Sequence, residues 1–138
     1  MVYDKRTMFI GEYTHTVDEK NRFSLPAKFR SALGRKVVVT RGKDHCLFLY
    51  PHKVWLQISK EVSSLGHVAS DPRYARFTFA GASEIEIDSI GRILVPEFLR
   101  EFAELKNTIV ITGVHDRVEI WNDKRWSAYR KKLESEYA

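Results

Sequence analysis

The sequence predicts an α+β, β-rich fold made of two tandem copies of one strand-strand-helix-strand-strand unit, with helices flanking the copies. The first observation behind this prediction is a repeated string, since "DEKNRFSLPAKFR" begins at Asp18 and "DSIGRILVPEFLR" begins at Asp88. In both strings an arginine follows the aspartate by four residues, a proline follows four residues later, and a second arginine four residues after that. The second observation is that β-branched and aromatic runs flank both strings, which is typical of strands.

The repeat extends beyond these strings. At an offset of 70 residues the "FAG" that begins at Phe79 falls on the "FIG" that begins at Phe9, and after Arg30 the offset becomes 71, as a single-residue loop insertion would produce. Each copy is too small to bury enough apolar surface alone, so we expect one compact unit. The assigned ranges are 12–54 for copy 1, 55–82 for a helical connector, 83–126 for copy 2 and 127–138 for a C-terminal helix.

A tight turn joins the first two strands of each copy. "DEKN" and "DSIG" fit a hairpin in which the aspartate opens the turn and the fourth residue adopts a left-handed backbone. Glycine takes that conformation freely and asparagine is its commonest substitute, so Asn21 and Gly91 are physically equivalent. We expect the two turns to have the same shape.

A short helix follows each hairpin, because Pro26 and Pro96 suit a helix start. In copy 1, Phe29 and Leu33 lie on one face of this helix, and Gly34 can end it with a left-handed cap. The apolar runs "KVVVT" and "TIVIT" then predict buried strands, and "CLFLYP" and "RVEIW" predict their hairpin partners.

Helices are also predicted after each copy, where apolar residues recur at helical spacing. The second of these helices begins near Asn122 or Asp123, either of which can cap it. Between the copies, Gly66 and the signal from Ser70 to Pro72 predict a loop and then one short helix. The apolar positions are Trp55, Ile58, Val62 and Leu65 in the first helix and Trp126, Tyr129, Leu133 and Tyr137 in the second.

The positive charge is concentrated in the first half of the chain. The net charge is +5, yet residues 1–70 hold 12 Lys/Arg against 6 Asp/Glu, and residues 71–138 hold 11 against 12. From Lys20 to Lys43 there are eight Lys/Arg and no acid. Such a run is either a solvated face or a footprint for a polyanion, because clustered Lys/Arg attract phosphates.

Membrane and secretory segments are not evident in the sequence. There is no run of about 18 apolar residues, and the N-terminal stretch has no signal core with a cleavage site. We therefore expect a cytoplasmic protein without a membrane partner.

Enzyme signatures are sparse. Cys46 is the single cysteine and lies in an apolar run, where a buried thiol is expected. "DHC" at residues 44–46 resembles part of a catalytic triad, but the equivalent "HDR" of copy 2 has no thiol, which indicates turn residues. The five histidines lack zinc-ligand spacing, and glycine-rich phosphate loops are absent. We expect no catalytic residue, metal, cofactor or small-molecule substrate.

The acid-to-arginine turn is the remaining candidate site. A single D-x-x-x-R is a weak signal, whose ordinary role is a turn-opening aspartate beside an exposed or ion-paired arginine. Its repetition before the same proline and second arginine favours a functional role. An arginine at the tip of a rigid hairpin can reach a phosphate or a guanine edge while the aspartate holds its guanidinium.

The strings "MFIGEYTHTVDEKNRFSLPAKFR" and "FAGASEIEIDSIGRILVPEFLR", with "CLFLYP…W" and "VEIW…W", closely resemble the MraZ family over about Met8 to Tyr129. The resemblance implies two SpoVT-AbrB-like halves in a pseudo-two-fold double-split β-barrel, and a ring-like homo-oligomer. It also implies a nucleoid-associated transcriptional regulator that binds double-stranded DNA sequence-specifically, at repeated promoter boxes upstream of the division and cell-wall gene cluster. Asn21, where the family commonly has glycine, and the extra "MVYDKRT" depart from the family pattern.

The residues themselves indicate that the two motifs are not equivalent. The motif of copy 1 lies in the acid-free run, whereas between Ile90 and Lys106 three basic residues are balanced by three glutamates. The alternative to a DNA-binding regulator is a basic interaction module that binds RNA or an acidic protein without promoter specificity. The predicted DNA-binding residues are Lys20, Asn21, Arg22 and Lys28, and the predicted motif-supporting residues are Asp18, Asp88, Gly91 and Arg92.

Overall fold

The computed structural model describes residues 8–68 and 72–138. Copy 1 contains β1 (Glu12–Thr16), β2 (Arg22–Ser24), α1 (Ala27–Leu33), β3 (Lys36–Arg41) and β4 (Leu47–Pro51). Copy 2 contains β5 (Ala82–Glu86), β6 (Arg92–Leu94), α4 (Glu97–Phe102), β7 (Thr108–Val114) and β8 (Arg117–Asn122). Helices α2 (His52–Val68) and α3 (Arg73–Ala80) lie between them, and α5 (Asp123–Tyr137) follows. The predicted α+β class with two tandem copies is confirmed.

The predicted hairpin between the first two strands of each copy is wrong beyond the turn itself. Among the described residues, β1 pairs with β7 and β2 pairs with β6, so both strands find partners in the other copy. Six strands form one antiparallel sheet in the order β1-β7-β8-β4-β3-β5, and β2 and β6 form a separate two-stranded sheet, here called the ribbon. The hairpins predicted for β3–β4 and β7–β8 are confirmed.

One hydrophobic core takes side chains from both copies. Phe23 and Ile93 face each other across the ribbon, and they are 2% and 1% exposed. They belong to the same buried cluster as Phe29 of α1, Leu99 of α4 and residues of the six-stranded sheet. The inner face of the ribbon is therefore anchored in the core, which leaves its outer face at the surface.

Helices lie between the copies and at the C-terminus, but their bounds differ from the assigned ranges, since α2 begins at His52, inside the range assigned to copy 1. Helix α2 continues past Gly66 to Val68, since one glycine costs a helix only about 1 kcal/mol. Helix α5 begins at Asp123 and includes the end of the assigned copy 2 range, and the Asn122 side chain caps it by accepting a hydrogen bond from the Arg125 N–H at 3.0 Å. Residues 1–7 and residues 69–71 of the predicted loop lie outside the described residues.

No helix in the described part of the chain has the length and apolar character needed to cross a bilayer.

The exchange of strand partners predicts that one copy does not fold alone as a monomer. In a fragment of residues 8–81, each of β1 and β2 has lost its only partner strand, and β3 and β4 have each lost one of two. We expect no cooperative thermal transition in circular dichroism at concentrations where light scattering shows a monomer, whereas the full chain melts cooperatively. A sharp, concentration-independent transition in the monomeric fragment would contradict this.

Candidate nucleic-acid interface

Two turns of nearly identical geometry connect the large sheet to the ribbon, one in each copy. In copy 1 the Asp18 carboxylate accepts from the Lys20 and Arg22 backbone N–H groups at 2.8 and 2.9 Å. The Asp18 N–H donates to the Arg22 carbonyl at 2.8 Å, and the Asn21 N–H donates to the Asp18 carbonyl at 3.0 Å. Asn21 has a φ of 64°, which confirms the predicted left-handed residue.

The turn of copy 2 repeats this pattern around Asp88. Its carboxylate accepts from the Ile90 and Arg92 backbone N–H groups at 3.1 and 2.8 Å, and Gly91 has a φ of 87°. The two turns therefore have the same shape, as the sequence predicted, although one uses asparagine and the other glycine.

Each aspartate also pairs with the side chain of its arginine. The Nε of Arg22 lies 3.2 Å from Asp18 Oδ2, and the Nε of Arg92 lies 2.8 Å from Asp88 Oδ2. The arginine side chains are 30% and 28% exposed. The closest nitrogen to the carboxylate in each pair is Nε, and a guanidinium presents further N–H groups that can bind a phosphate or a guanine edge.

These bonds stabilise the charged form of both carboxylates. The backbone hydrogen bond from Arg22 is the largest cause that lowers the pKa of Asp18, with smaller contributions from the Lys20 N–H and the Arg22 charge. The pKa of Asp88 is lowered in the same way, with the Arg92 backbone bond first. The turns are therefore held by ionised aspartates at neutral pH.

The arginine of each motif begins a strand of the ribbon and does not lie at the tip of the turn, where Glu19 and Lys20 are. Along β2 and β6 side chains alternate, so Phe23 and Ile93 point inward while the arginines lie on the outer face. In the register, Arg22 is opposite Leu94 and Ser24 is opposite Arg92. The two motif arginines thus share one face of the molecule, at opposite ends of a short ribbon.

The second arginine of each repeat has a role that the sequence reasoning missed. The Nε of Arg30 donates to the Leu25 carbonyl, and that of Arg100 donates to the Val95 carbonyl, both at 3.0 Å. The Arg30 guanidinium also lies against Gly91 so closely that a Cβ there would collide with it. Arg30 thus supports the turn of the other copy. The sequence feature that could have indicated this structural role is the identical spacing of the second arginine in both repeats.

The acid-free run contributes fewer surface charges than its eight basic residues suggest. Arg30 is partly buried by the contact just described, and the Arg41 guanidinium lies over the Phe77 and Phe102 rings at 5.3 and 6.0 Å. Lys20 and Lys28 are exposed, as the prediction requires. Arg35, Lys36 and Lys43 are exposed too, so five of the eight basic residues of the run are fully at the surface.

The remaining candidate for chemistry, residues 44–46, forms a turn. Asp44 and His45 have φ values of 58° and 61°, and Cys46 is buried. Burial raises the pKa of the Cys46 thiol far above its ordinary value, so the reactive thiolate is disfavoured. Within residues 8–68 and 72–138, no group of three His, Cys, Asp or Glu side chains is placed to hold a metal ion.

The lowered carboxylate pKa values predict how acid affects the turns. Since the folded-state pKa lies below the ordinary value, both pairs stabilise the fold above about pH 4, and this contribution is lost as the pH falls through the lowered pKa. The double variant Asp18→Asn/Asp88→Asn should unfold at lower urea than the unmodified protein at pH 7, and the difference should close near pH 3 or below.

The matched control is Glu19→Gln, which removes a carboxylate from the same turn and leaves the ion pair in place. Its urea midpoint should follow that of the unmodified protein at every pH. A gap for the double variant that stays constant from pH 7 to pH 3 would show that the charges of Asp18 and Asp88 are unimportant.

Comparison with known proteins identifies relatives over almost the whole chain. A family model described as "MraZ protein, putative antitoxin-like" matches residues 8–77 and again residues 78–137. Proteins named "Transcriptional regulator MraZ" from Halothermothrix orenii and Moorella thermoacetica are 49% and 47% identical over 131 residues, which are 94% of this chain and 92% of each relative. A relative of the same name from Desulfitobacterium hafniense is 46% identical over 132 residues. The relatives are named for regulation and not for a catalysed reaction, in agreement with the prediction that the chain is not an enzyme. The duplicated aspartate–arginine turn and the two matches of one family model in tandem together place this chain in the MraZ family.

Proposed function

We propose that this protein is a transcriptional regulator that binds double-stranded DNA sequence-specifically through the outer face of the ribbon. The observation that carries the proposal is the turn of copy 1, in which Asp18 holds Arg22 by its Nε at the surface. The exposed Lys20 and Lys28 belong to the same copy. A two-stranded antiparallel ribbon fits the major groove, where arginine reads guanine and lysines contact phosphates.

The two motifs contribute unequally in this proposal. Their ion pairs and exposures are nearly the same, so the difference comes from the neighbouring positions. Lys20 and Lys28 of copy 1 correspond to Ile90 and Phe98 of copy 2, which are 58% and 44% exposed. Because phosphate attraction needs positive charge, the turn of copy 1 is the main DNA contact and Arg92 mainly supports its own turn.

Self-assembly follows from the small size of this contact. One chain offers one strongly basic turn, and a single turn would bind weakly. An array of chains that engages several promoter boxes gains affinity through linked binding. We therefore propose a ring-like homo-oligomer acting on repeated boxes upstream of the division and cell-wall gene cluster, in the cytoplasm and on the nucleoid.

The central test compares promoter DNA with scrambled DNA of equal length and composition. A regulator binds the region upstream of its own cluster more tightly than the scrambled duplex at each salt concentration. Equal affinities would instead favour a basic interaction module for RNA or an acidic protein.

The unequal contribution of the motifs predicts different effects of Arg22→Ala and Arg92→Ala. Both changes remove the same ion pair from side chains of nearly equal exposure, so each is the control for the other. Arg22→Ala should cost about 1–3 kcal/mol of binding free energy per subunit and weaken the salt dependence, whereas Arg92→Ala should cost clearly less. Fluorescence anisotropy with labelled promoter DNA at several salt concentrations measures both, and equal losses would refute the asymmetry.

The oligomer has a test of its own. Size-exclusion chromatography with light scattering at micromolar concentration should give a mass several times the 16.1 kDa of one chain. A monomer would contradict the ring.

A further inference from the structure

The outer face of the ribbon carries an exposed leucine beside the proposed DNA-reading arginine. Leu94 lies directly opposite Arg22 in the register and is 51% exposed, although its neighbours Ile93 and Val95 are 1% and 0% exposed. The position equivalent to Leu94 in copy 1 is Ser24, which lies opposite Arg92. An apolar side chain therefore accompanies the arginine of copy 1, and a hydroxyl accompanies that of copy 2.

The pairing of the strands decides what Leu94 can face when Arg22 meets DNA. Paired strands lie about 4.8 Å apart, and directly opposite side chains are separated by about 5 Å. The major groove is about 12 Å wide, which is more than the spacing of the two paired strands. If β2 enters the groove, β6 therefore enters it as well. A surface that met Leu94 from another subunit would also cover Arg22. Leu94 therefore shares the partner of Arg22.

The chemistry of the major groove then identifies the contact. Its floor presents hydrogen-bonding groups on every base pair and one apolar group, the C5-methyl of thymine. A half-exposed leucine offers no hydrogen bond. If it faced a polar base edge, it would remove water from that edge without replacing the lost hydrogen bonds. We propose that Leu94 contacts a thymine C5-methyl next to the base or phosphate that Arg22 contacts, and so determines part of the sequence specificity. This inference rests on the proposed function.

The test removes the methyl group from the DNA and the leucine from the protein separately. The probe is a labelled promoter duplex in which deoxyuridine replaces every thymidine, which deletes the C5-methyl groups and preserves base pairing and charge. The unmodified protein should bind this duplex at least about fourfold more weakly than the thymidine duplex, the ratio expected for losing one buried methyl group. Leu94→Ser, which copies Ser24, should bind both duplexes with equal affinity.

Leu56→Ser is the matched control, because Leu56 is also 51% exposed but lies on α2, outside the ribbon. It should discriminate between the two duplexes as well as the unmodified protein does. Thermal melting of each variant shows that it is folded. Replacing single thymidines then locates the position at which discrimination depends on Leu94.

The outcomes separate this inference from the proposed function. Suppose that the unmodified protein prefers promoter over scrambled DNA, and that Leu94→Ser distinguishes the thymidine duplex from the deoxyuridine duplex as strongly as the unmodified protein does. The Leu94 contact is then refuted, and the proposed regulator remains. If Leu94→Ser instead lowers the mass of the oligomer and leaves discrimination unchanged, Leu94 faces another subunit and the inference is overturned. If the unmodified protein shows no promoter preference, both proposals fail together.

Discussion

In the described part of the chain, the first two strands of each copy hydrogen-bond only to strands of the other copy, and the positions of both turns follow from this exchange. The turn of copy 1 leaves β1, in the large sheet, and enters β2, in the ribbon. Phe23 and Ile93 fix the ribbon to the shared core from below. The turns are therefore held at both ends by strands of the opposite copy, so their geometry depends on the whole unit.

Within this frame, the aspartate of each motif serves two purposes with one carboxylate. One oxygen accepts the backbone N–H groups that close the turn, and the other accepts from the arginine Nε. A surface ion pair contributes little to stability, with typical values of about 0–1 kcal/mol. The hydrogen bond to Nε also holds the guanidinium beside the turn. The turn is thus a preorganised support for a guanidinium, and Arg30 strengthens it by packing on Gly91 of the other copy.

The two copies keep this support and differ in the surface around it. Corresponding positions carry Lys20 and Ile90, Ser24 and Leu94, and Lys28 and Phe98. None of these side chains contributes to the buried core, so their chemistry can differ without disturbing the fold. Because antiparallel pairing places Leu94 opposite Arg22, the polar surface of one copy and the apolar surface of the other meet on one face. A symmetric scaffold thereby carries an asymmetric surface.

Local sequence determined the order of the elements, the shape of the turns and the identity of the motif residues. Asn21 and Gly91 show why, since a left-handed backbone next to a turn-opening aspartate depends on steric effects over four residues. Tertiary structure decided which strands pair, because a strand pattern states which face is buried but not which partner supplies the hydrogen bonds. For the same reason the sequence predicted a hairpin between β1 and β2, and it could not place Leu94 beside Arg22 or Arg30 against Gly91. Those neighbours are separated by 60 residues or more along the chain, and only the packing of the two copies brings them together.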